Sequence, residues 1–206
     1  MVSKILKKLP LLALLGTSLW ANDGQTDGKP AAKAEVYSLD KSHSQLGFKV
    51  SHLGIASVSG SFKDFLGELV LENGKLIGAK AEVKVPSIFT DDIKRDEHLK
   101  ADDFFAANQH PLIKFESTSV KLSGKNVEMT GNLTMRDKTL PITLTGVFNG
   151  TVHVEMWKMS KAGLSLKGSI NRQDFGLKFS KFLGTGEAMV GDVVELQIDL
   201  EANKPD

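Results

Sequence analysis

The chain of 206 residues contains no cysteine. That excludes disulfide frameworks, cysteine-ligated zinc, iron–sulfur ligation and thiol nucleophiles. It also lacks an excess of either charge. Its 26 Lys and Arg face 25 Asp and Glu, a formal +1, so there is no bulk electrostatic footprint for nucleic acid. Aromatic residues make up only 7% and prolines number six. Long apolar runs are missing: Leu9 to Leu15 is too short to span a hydrocarbon core of about 30 Å. No His-Glu-x-x-His pair, Gly-x-Ser-x-Gly elbow or glycine-rich phosphate loop occurs, so zinc hydrolysis, serine hydrolysis and nucleotide binding have no motif to stand on. What is present, 41% hydrophobic residues with 19 glycines, is too apolar for a disordered chain and suits one medium domain.

The N-terminus differs from the rest. Lys4, Lys7 and Lys8 precede the apolar Leu9–Leu15 run, and Gly16, Thr17, Ser18 and Ala21 supply small residues beyond it. This is the pattern of a secretory signal peptide over 1–21, which implies a periplasmic or secreted protein with no stable membrane span once the leader is cleaved. No cysteine follows, so a lipoprotein anchor is excluded. The leader carries three lysines and no acid, so its removal takes the charge from +1 to −2. Residues 22–35 are polar and glycine-containing, and read as a disordered linker. Residues 36–201 read as the domain, and 202–206 as a short polar tail.

The domain alternates with period two, the mark of strands with one buried face. Ala79, Ala81, Val83 and Val85 alternate with lysine and glutamate in 78–86. Val127, Met129, Gly131, Leu133 and Met135 do so in 126–135. Leu140, Ile142, Leu144, Gly146 and Phe148 share one face of 139–148, and Leu164, Leu166 and Ile170 one face of 163–170. Val194, Leu196, Ile198 and Leu200 repeat the pattern in 193–201, and Leu46, Phe48, Val50 and His52 in 46–53. Asn73-Gly74, Gly124-Lys125-Asn126, Arg136-Asp137-Lys138 and Asn149-Gly150 punctuate these runs as turns. About eight antiparallel strands with one wet face each predict an all-β sandwich or closed barrel. Residues 87–111 break the alternation: Thr90 or Asp91 can cap a short helix starting near Asp92, Asp102 a second turn carrying Phe104 and Phe105, and Pro111 ends the segment. Such a crossover, near 92–106, is placed to cover one barrel mouth. The small inward residues Ala79, Ala81, Ser117, Gly131, Gly146 and Gly168 leave room for a ligand in an eight-stranded barrel; phenylalanines and leucines filling that space are the competing outcome.

Chemistry-bearing residues are sparse. Asp40-x-x-His43 has the donor types to chelate a metal or, structurally, to cap a turn. His52 lies on the apolar parity of its strand, as a hydrogen-bonded core histidine or a contact for a polar head group. Arg95-Asp96-Glu97-His98 is the densest charged cluster, suited to head-group contact, to proton transfer, or to ion pairs that pin the crossover.

Leu39-Asp40-Lys41-Ser42-His43-Ser44, then Phe48-Lys49-Val50-Ser51-His52-Leu53-Gly54 and Val58-Ser59-Gly60-Ser61-Phe62-Lys63-Asp64-Phe65-x-Gly67, resemble the opening of the YceI-like family. Arg95-Asp96-Glu97-His98-Leu99, Asp103-Phe104-Phe105, Phe115-Glu116-Ser117, Gly131-x-Leu133-Thr134 and Asn171-Arg172-Gln173-Asp174-Phe175-Gly176 match its later blocks in order. The resemblance implies a lipocalin-like, eight-stranded antiparallel barrel around a long apolar tunnel, often dimeric, with no established catalysis and no cofactor. Its members hold a polyisoprenoid, isoprenoid quinone, fatty amide or other long-chain amphiphile, tail inward.

On that reading the tail contacts Phe48, Val50, Phe62, Phe65, Val83, Phe115, Met129, Leu133, Leu144, Leu164, Leu166 and Ile170. His52, Arg95, His98, Arg172 and Asp174 are the candidates for the head group. The competing functions are a cofactor-free enzyme on a lipid-like substrate, with His52 or His98 as base near Asp96, and a structural barrel with a filled core. Met156, Trp157 and Met159 are an apolar patch for a homodimer, or pack under their loop.

Overall fold

The computed structural model describes residues 33–186 and 188–206. The leader and most of the expected linker lie outside this range; Glu35, assigned to the linker by sequence, begins the first strand. The strands are β1 (Glu35–Leu39), β2 (Gln45–His52), β3 (Ala56–Phe62), β4 (Phe65–Glu72), β5 (Lys75–Lys84), β6 (Ile88–Phe89), β7 (Leu112–Ser123), β8 (Asn126–Met135), β9 (Lys138–Val154), β10 (Met159–Asn171) and β11 (Val190–Pro205), with one helix, α1 (Ile93–Lys100).

Eight strands close an antiparallel barrel in the order β1-β4-β5-β7-β8-β9-β10-β11, and β11 pairs back onto β1 at Ser38↔Asn203 and Leu39↔Ala202. Closure leaves no long sheet edge within the barrel. β2 and β3 form a hairpin that prolongs β1 and β4 past the short breaks at Lys41–His43 and Lys63–Asp64. β2 continues the ladder with β11, from Ile198↔Leu46 to Val194↔Val50, and the two-residue β6 adds onto β3 at Ser61 and Phe62. The turns follow sequence chemistry: Asn73 and Gly74, both at positive φ, make the tight link between β4 and β5. A bulge at Ser117/Ser119 in β7 resets the alternation, so Val120 and Leu122 also reach the core.

β11 runs on to Pro205, which corrects the reading of 202–206 as a free tail. Ala202 is fully buried and pairs with both β1 and β10. The residues look polar because Glu201 and Asn203 flank the small Ala202, which carries too little apolar signal to extend the alternation.

Two apolar layers fill the ends. One joins Phe65, Val83, Ile113, Leu133, Met135 and Ile170 to Phe104, Phe105, Phe175 and Leu177 from outside the strands. The other gathers Tyr37, Leu69, Leu71, Leu76, Val127, Phe148, Ala162 and Leu164. The first is the mouth covered by the crossover, as the sequence predicts. The helix cap falls one or two residues later than predicted: Asp92 accepts the Arg95 N–H at 3.0 Å, and that backbone bond holds its carboxyl below the ordinary carboxylate range. Thr90 instead receives the helix. Its N–H and hydroxyl donate to Asp96 Oδ1 at 2.9 and 2.6 Å, and its Oγ1 and carbonyl accept from Arg95 Nε and Nη2 at 2.7 and 2.5 Å. Among the described residues no helix is long and apolar enough to cross a membrane.

Candidate functional site

Between the two layers lies an apolar cavity of about 130 Å³. Ten of the twelve residues assigned to a ligand tail line it: Phe48, Phe62, Val83, Phe115, Met129, Leu133, Leu144, Leu164, Leu166 and Ile170. Phe65 is buried in the layer at the covered mouth, and Val50 is half-buried further along β2; neither lines the cavity. Leu69, Ile113 and Met135 add to the wall, as do Leu39, Leu46, Ile142, Leu196, Ile198 and Leu200. The last three carry the clear alternation of β11, so the signal for them is in the sequence; what it lacks is the register that places β11 beside β2. Glu68 and Lys80 contribute only as wall, since their charged ends pair with each other at 2.9 Å, the glutamate half-buried and the lysine exposed.

The small inward residues act differently from expectation. Ala79 and Ala81 do line the cavity. At Gly131 a Cβ would stand 2.4 Å from Phe115 Cζ, and at Gly60 2.4 Å from Phe48 Cζ. At Gly168 it would stand 2.7 Å from Leu144 Cδ2, and at Gly146 1.9 Å from the Ser165 carbonyl. These glycines therefore seat rings, a leucine and a neighbouring backbone rather than leaving open space.

The five head-group candidates do not form one cluster, and no hydrogen bond joins any two of them among the described residues. His52 is half-buried at the end of β2. Arg95 is engaged by Thr90. His98 bonds Asp103 Oδ2 at 3.1 Å and stands edge-on to Phe104 and Phe179, with ring centroids 5.0 and 5.2 Å away. Asp174 is exposed on a short turn after β10. Arg172 begins that turn, is 3% exposed, and has all five N–H groups committed. Nε donates to the Gly191 carbonyl, Nη1 to those of Leu177 and Phe179, and Nη2 to the Val190 carbonyl and Asp192 Oδ1, over 2.7–3.1 Å. Burial lowers its pKa from the ordinary value while Asp192 opposes the shift; a guanidinium so placed stays charged. Arg136, read from sequence only as part of a turn, is a second clamp: Nη1 reaches the carbonyls of Asp102, Phe104 and Gly176 at 3.2, 2.7 and 2.7 Å.

Asp40 caps the turn after β1. It accepts from the Ser42 N–H and hydroxyl at 2.9 and 2.5 Å, bonds the His43 ring at 3.0 Å, and accepts from Asn203 at 3.1 Å. The Ser42 hydroxyl first, then His43, hold its carboxyl far below the usual range. Glu201 lies near enough to make a three-donor group with Asp40 and His43. Lys161 already supplies a cation there, 2.6 Å from Glu201 Oε1 and 4.0 Å from Asp40 Oδ2.

An antiparallel eight-stranded barrel around an apolar interior, its mouth closed by a helical crossover, defines a lipocalin-like barrel protein. The YceI-like domain family model matches residues 37–202, and the chain belongs to that family. It is 34% identical over 205 residues to a UPF0312 protein of Pseudomonas putida, covering 97% of this chain and 99% of that one. The crystal structure of the Campylobacter jejuni YceI protein superposes with a TM-score of 0.65 at 32% identity, over 82% of this chain and 98% of the other. A domain from Saccharophagus degradans described as polyisoprenoid binding shares the fold, with a TM-score of 0.60 at 14% identity over 82% of this chain and 98% of that one.

Proposed function

We propose that the protein is an exported, periplasmic carrier that sequesters one long-chain amphiphile, such as a polyisoprenoid, isoprenoid quinone or fatty amide, with its tail inside the barrel. The observation that carries this reading is the cavity wall. It is built of aliphatic and aromatic side chains on every strand around the barrel, with no charged end turned inward. Each methylene buried there contributes about 0.8 kcal/mol. The polyisoprenoid-binding description of the S. degradans relative points to the same ligand class, and the leader-like pattern of 1–21 supports export. A dry cavity of roughly 150 Å³ admits one benzene, so a tail of tens of carbons requires the barrel to widen beyond its 130 Å³.

The role is binding rather than catalysis. Neither His52 nor His98 is part of the cavity wall, and Asp96, the proposed partner of a basic histidine, is taken by Thr90. The protein acts as a homodimer through the turn between β9 and β10, where Met156 and Trp157 are 81% and 56% exposed. Organic extraction of the protein purified from its native envelope, followed by mass spectrometry, tests the carrier function. A single prenyl or acyl species at near-stoichiometric yield is expected. A protein that is empty and takes up no added prenyl or acyl lipid refutes it. Fractionation with N-terminal sequencing checks export, and sedimentation of Trp157→Glu against the wild type checks the dimer.

A further inference from the structure

The covered mouth carries an apolar rim that the barrel does not use. The tip of the β2–β3 hairpin ends in Leu53, Gly54 and Ile55, and Ile55 is 88% exposed. Leu53 holds a left-handed backbone conformation, φ 56°, which is costly for a bulky residue without a compensating role. Beside it runs the 177–189 loop, whose Phe182 is 66% exposed. One backbone bond ties the hairpin to the loop, Leu53 N–H donating to the Met189 carbonyl at 2.9 Å, and a second closes the loop on itself, Met189 N–H donating to the Lys181 carbonyl at 2.8 Å. Phe182, next in the chain, pairs with Ala188 across the loop. Lys178 and Lys181 are exposed on the same loop, whose sequence contains a single acid, Glu187. The loop starts from Leu177 in the apolar layer at the covered mouth.

Two adjoining tips that each project one large apolar side chain, with lysines alongside, fit a bilayer better than a protein surface. The apolar ends can enter the headgroup–acyl boundary, and the ammonium groups meet anionic headgroups. A protein partner would require a wider, flatter patch than two protruding side chains provide. We infer that the Ile55 and Phe182 tips, flanked by Lys178 and Lys181, dock the covered mouth onto an anionic lipid surface, where cargo passes between bilayer and barrel. This rests on the carrier reading and names where the carrier meets its lipid.

The test is flotation of the full protein with phosphatidylcholine vesicles, with and without about one-third phosphatidylglycerol. The wild type is compared with Ile55→Ser/Phe182→Ser and with Lys178→Glu/Lys181→Glu. Uptake of a pyrene-labelled fatty acid added without vesicles is measured in parallel. All four positions are exposed, so folding is retained, and circular dichroism confirms it. The wild type is expected to float with the anionic vesicles. The apolar variant should bind them roughly tenfold less or worse, and the charge variant should lose the preference for anionic lipid, while both take up the pyrene probe normally. A wild type that takes up the probe but does not float, or an apolar variant that floats like the wild type, overturns the docking surface and leaves the carrier reading intact. Failure of probe uptake by every protein overturns the carrier reading and this inference with it.

Discussion

Arg172 offers the sharpest separation between a ligand contact and a structural clamp. Its guanidinium ties Leu177 and Phe179 at the start of the 177–189 loop to Val190, Gly191 and Asp192 at its end. Arg172→Met keeps the length of the side chain and removes every donor. Hydrogen bonds to a charged group contribute about 1.5–3 kcal/mol each, but five of them do not simply add. The four orphaned carbonyls can regain water if the loop opens, so the loss is limited by the free energy of opening that segment. Breaking one side of a buried charged arrangement typically costs about 3–5 kcal/mol, and that is the expected destabilisation. Arg172→Lys retains the charge but offers three donors without the planar fork, so it should recover roughly half.

Denaturant unfolding of the three proteins measures the cost. Amide exchange at Leu177 and Met189, whose N–H groups bond Arg172 and Lys181 carbonyls, shows whether it is local. Both amides should lose protection in the Met variant, while amides in β8 and β9 follow global stability only. A Met variant that unfolds at the wild-type midpoint would refute the clamp. Lost lipid uptake at unchanged stability would return Arg172 to the head group.

Four further outcomes follow from the same geometry. Asp40 has its carboxyl depressed by Ser42 and His43, so its contribution is present in full above its unfolded pKa near 3.8 and is lost as the pH falls through the lower folded value. Asp40→Ala should cost about 1 kcal/mol at neutral pH and flatten the acid limb of a stability–pH curve; an unchanged acid limb contradicts the cap. Gly60→Ala meets only side-chain atoms, those of Phe48 and Thr90, so it should drive Phe48 into the cavity and reduce pyrene-probe uptake. Gly131→Ala also meets the Glu116 carbonyl at 2.6 Å and should cost about 1–3 kcal/mol in thermal unfolding. Truncation after Glu201 removes the β1–β11 ladder at Ala202 and Asn203 together with the β10 pairs from Ala162 to Met159; at roughly 1 kcal/mol per net hydrogen bond it should destabilise by at least about 3 kcal/mol in a urea titration, and a truncated chain as stable as the parent would show that the end of β11 does not contribute to closing the barrel.

The strands were legible because period-two alternation survives in one chain read alone: β8 is bounded in the structure at Asn126 and Met135, as its pattern predicts. The crossover was legible as a break in that pattern, and its two phenylalanines, Phe104 and Phe105, close the mouth. What alternation cannot carry is which strands meet. Ile198 and Leu200 read as an inward face of β11, but only the pairing with β2 and β1 puts them in the cavity wall. Polar residues were the least legible. A buried arginine that satisfies four carbonyls and one that grips a phosphate look the same in sequence, because, apart from Asp192 beside Arg172, the partners of Arg172 and Arg136 are backbone atoms, which leave no trace in residue identity.

The inward glycines give the same lesson about space. A glycine in a strand marks absent volume, yet whether that volume is empty depends on the residue across the ladder. Phe48 faces Gly60 directly in the β2–β3 register, and Phe115 lies over Gly131 from the neighbouring strand β7. Two of the three rings in the cavity wall therefore rest on glycines. A tail longer than the present cavity allows must displace side chains, and rings seated on glycine need no backbone rearrangement to move, whereas Leu69, Leu71 and Leu164 are fully buried in the layer at the other end. Widening should accordingly begin at Phe48 and Phe115. Fluorinated phenylalanine at positions 48 and 115 should then show resonance shifts on ligand uptake, with the label at Phe148 in the far layer unmoved, and shifts confined to Phe148 would place the opening at the other end of the barrel.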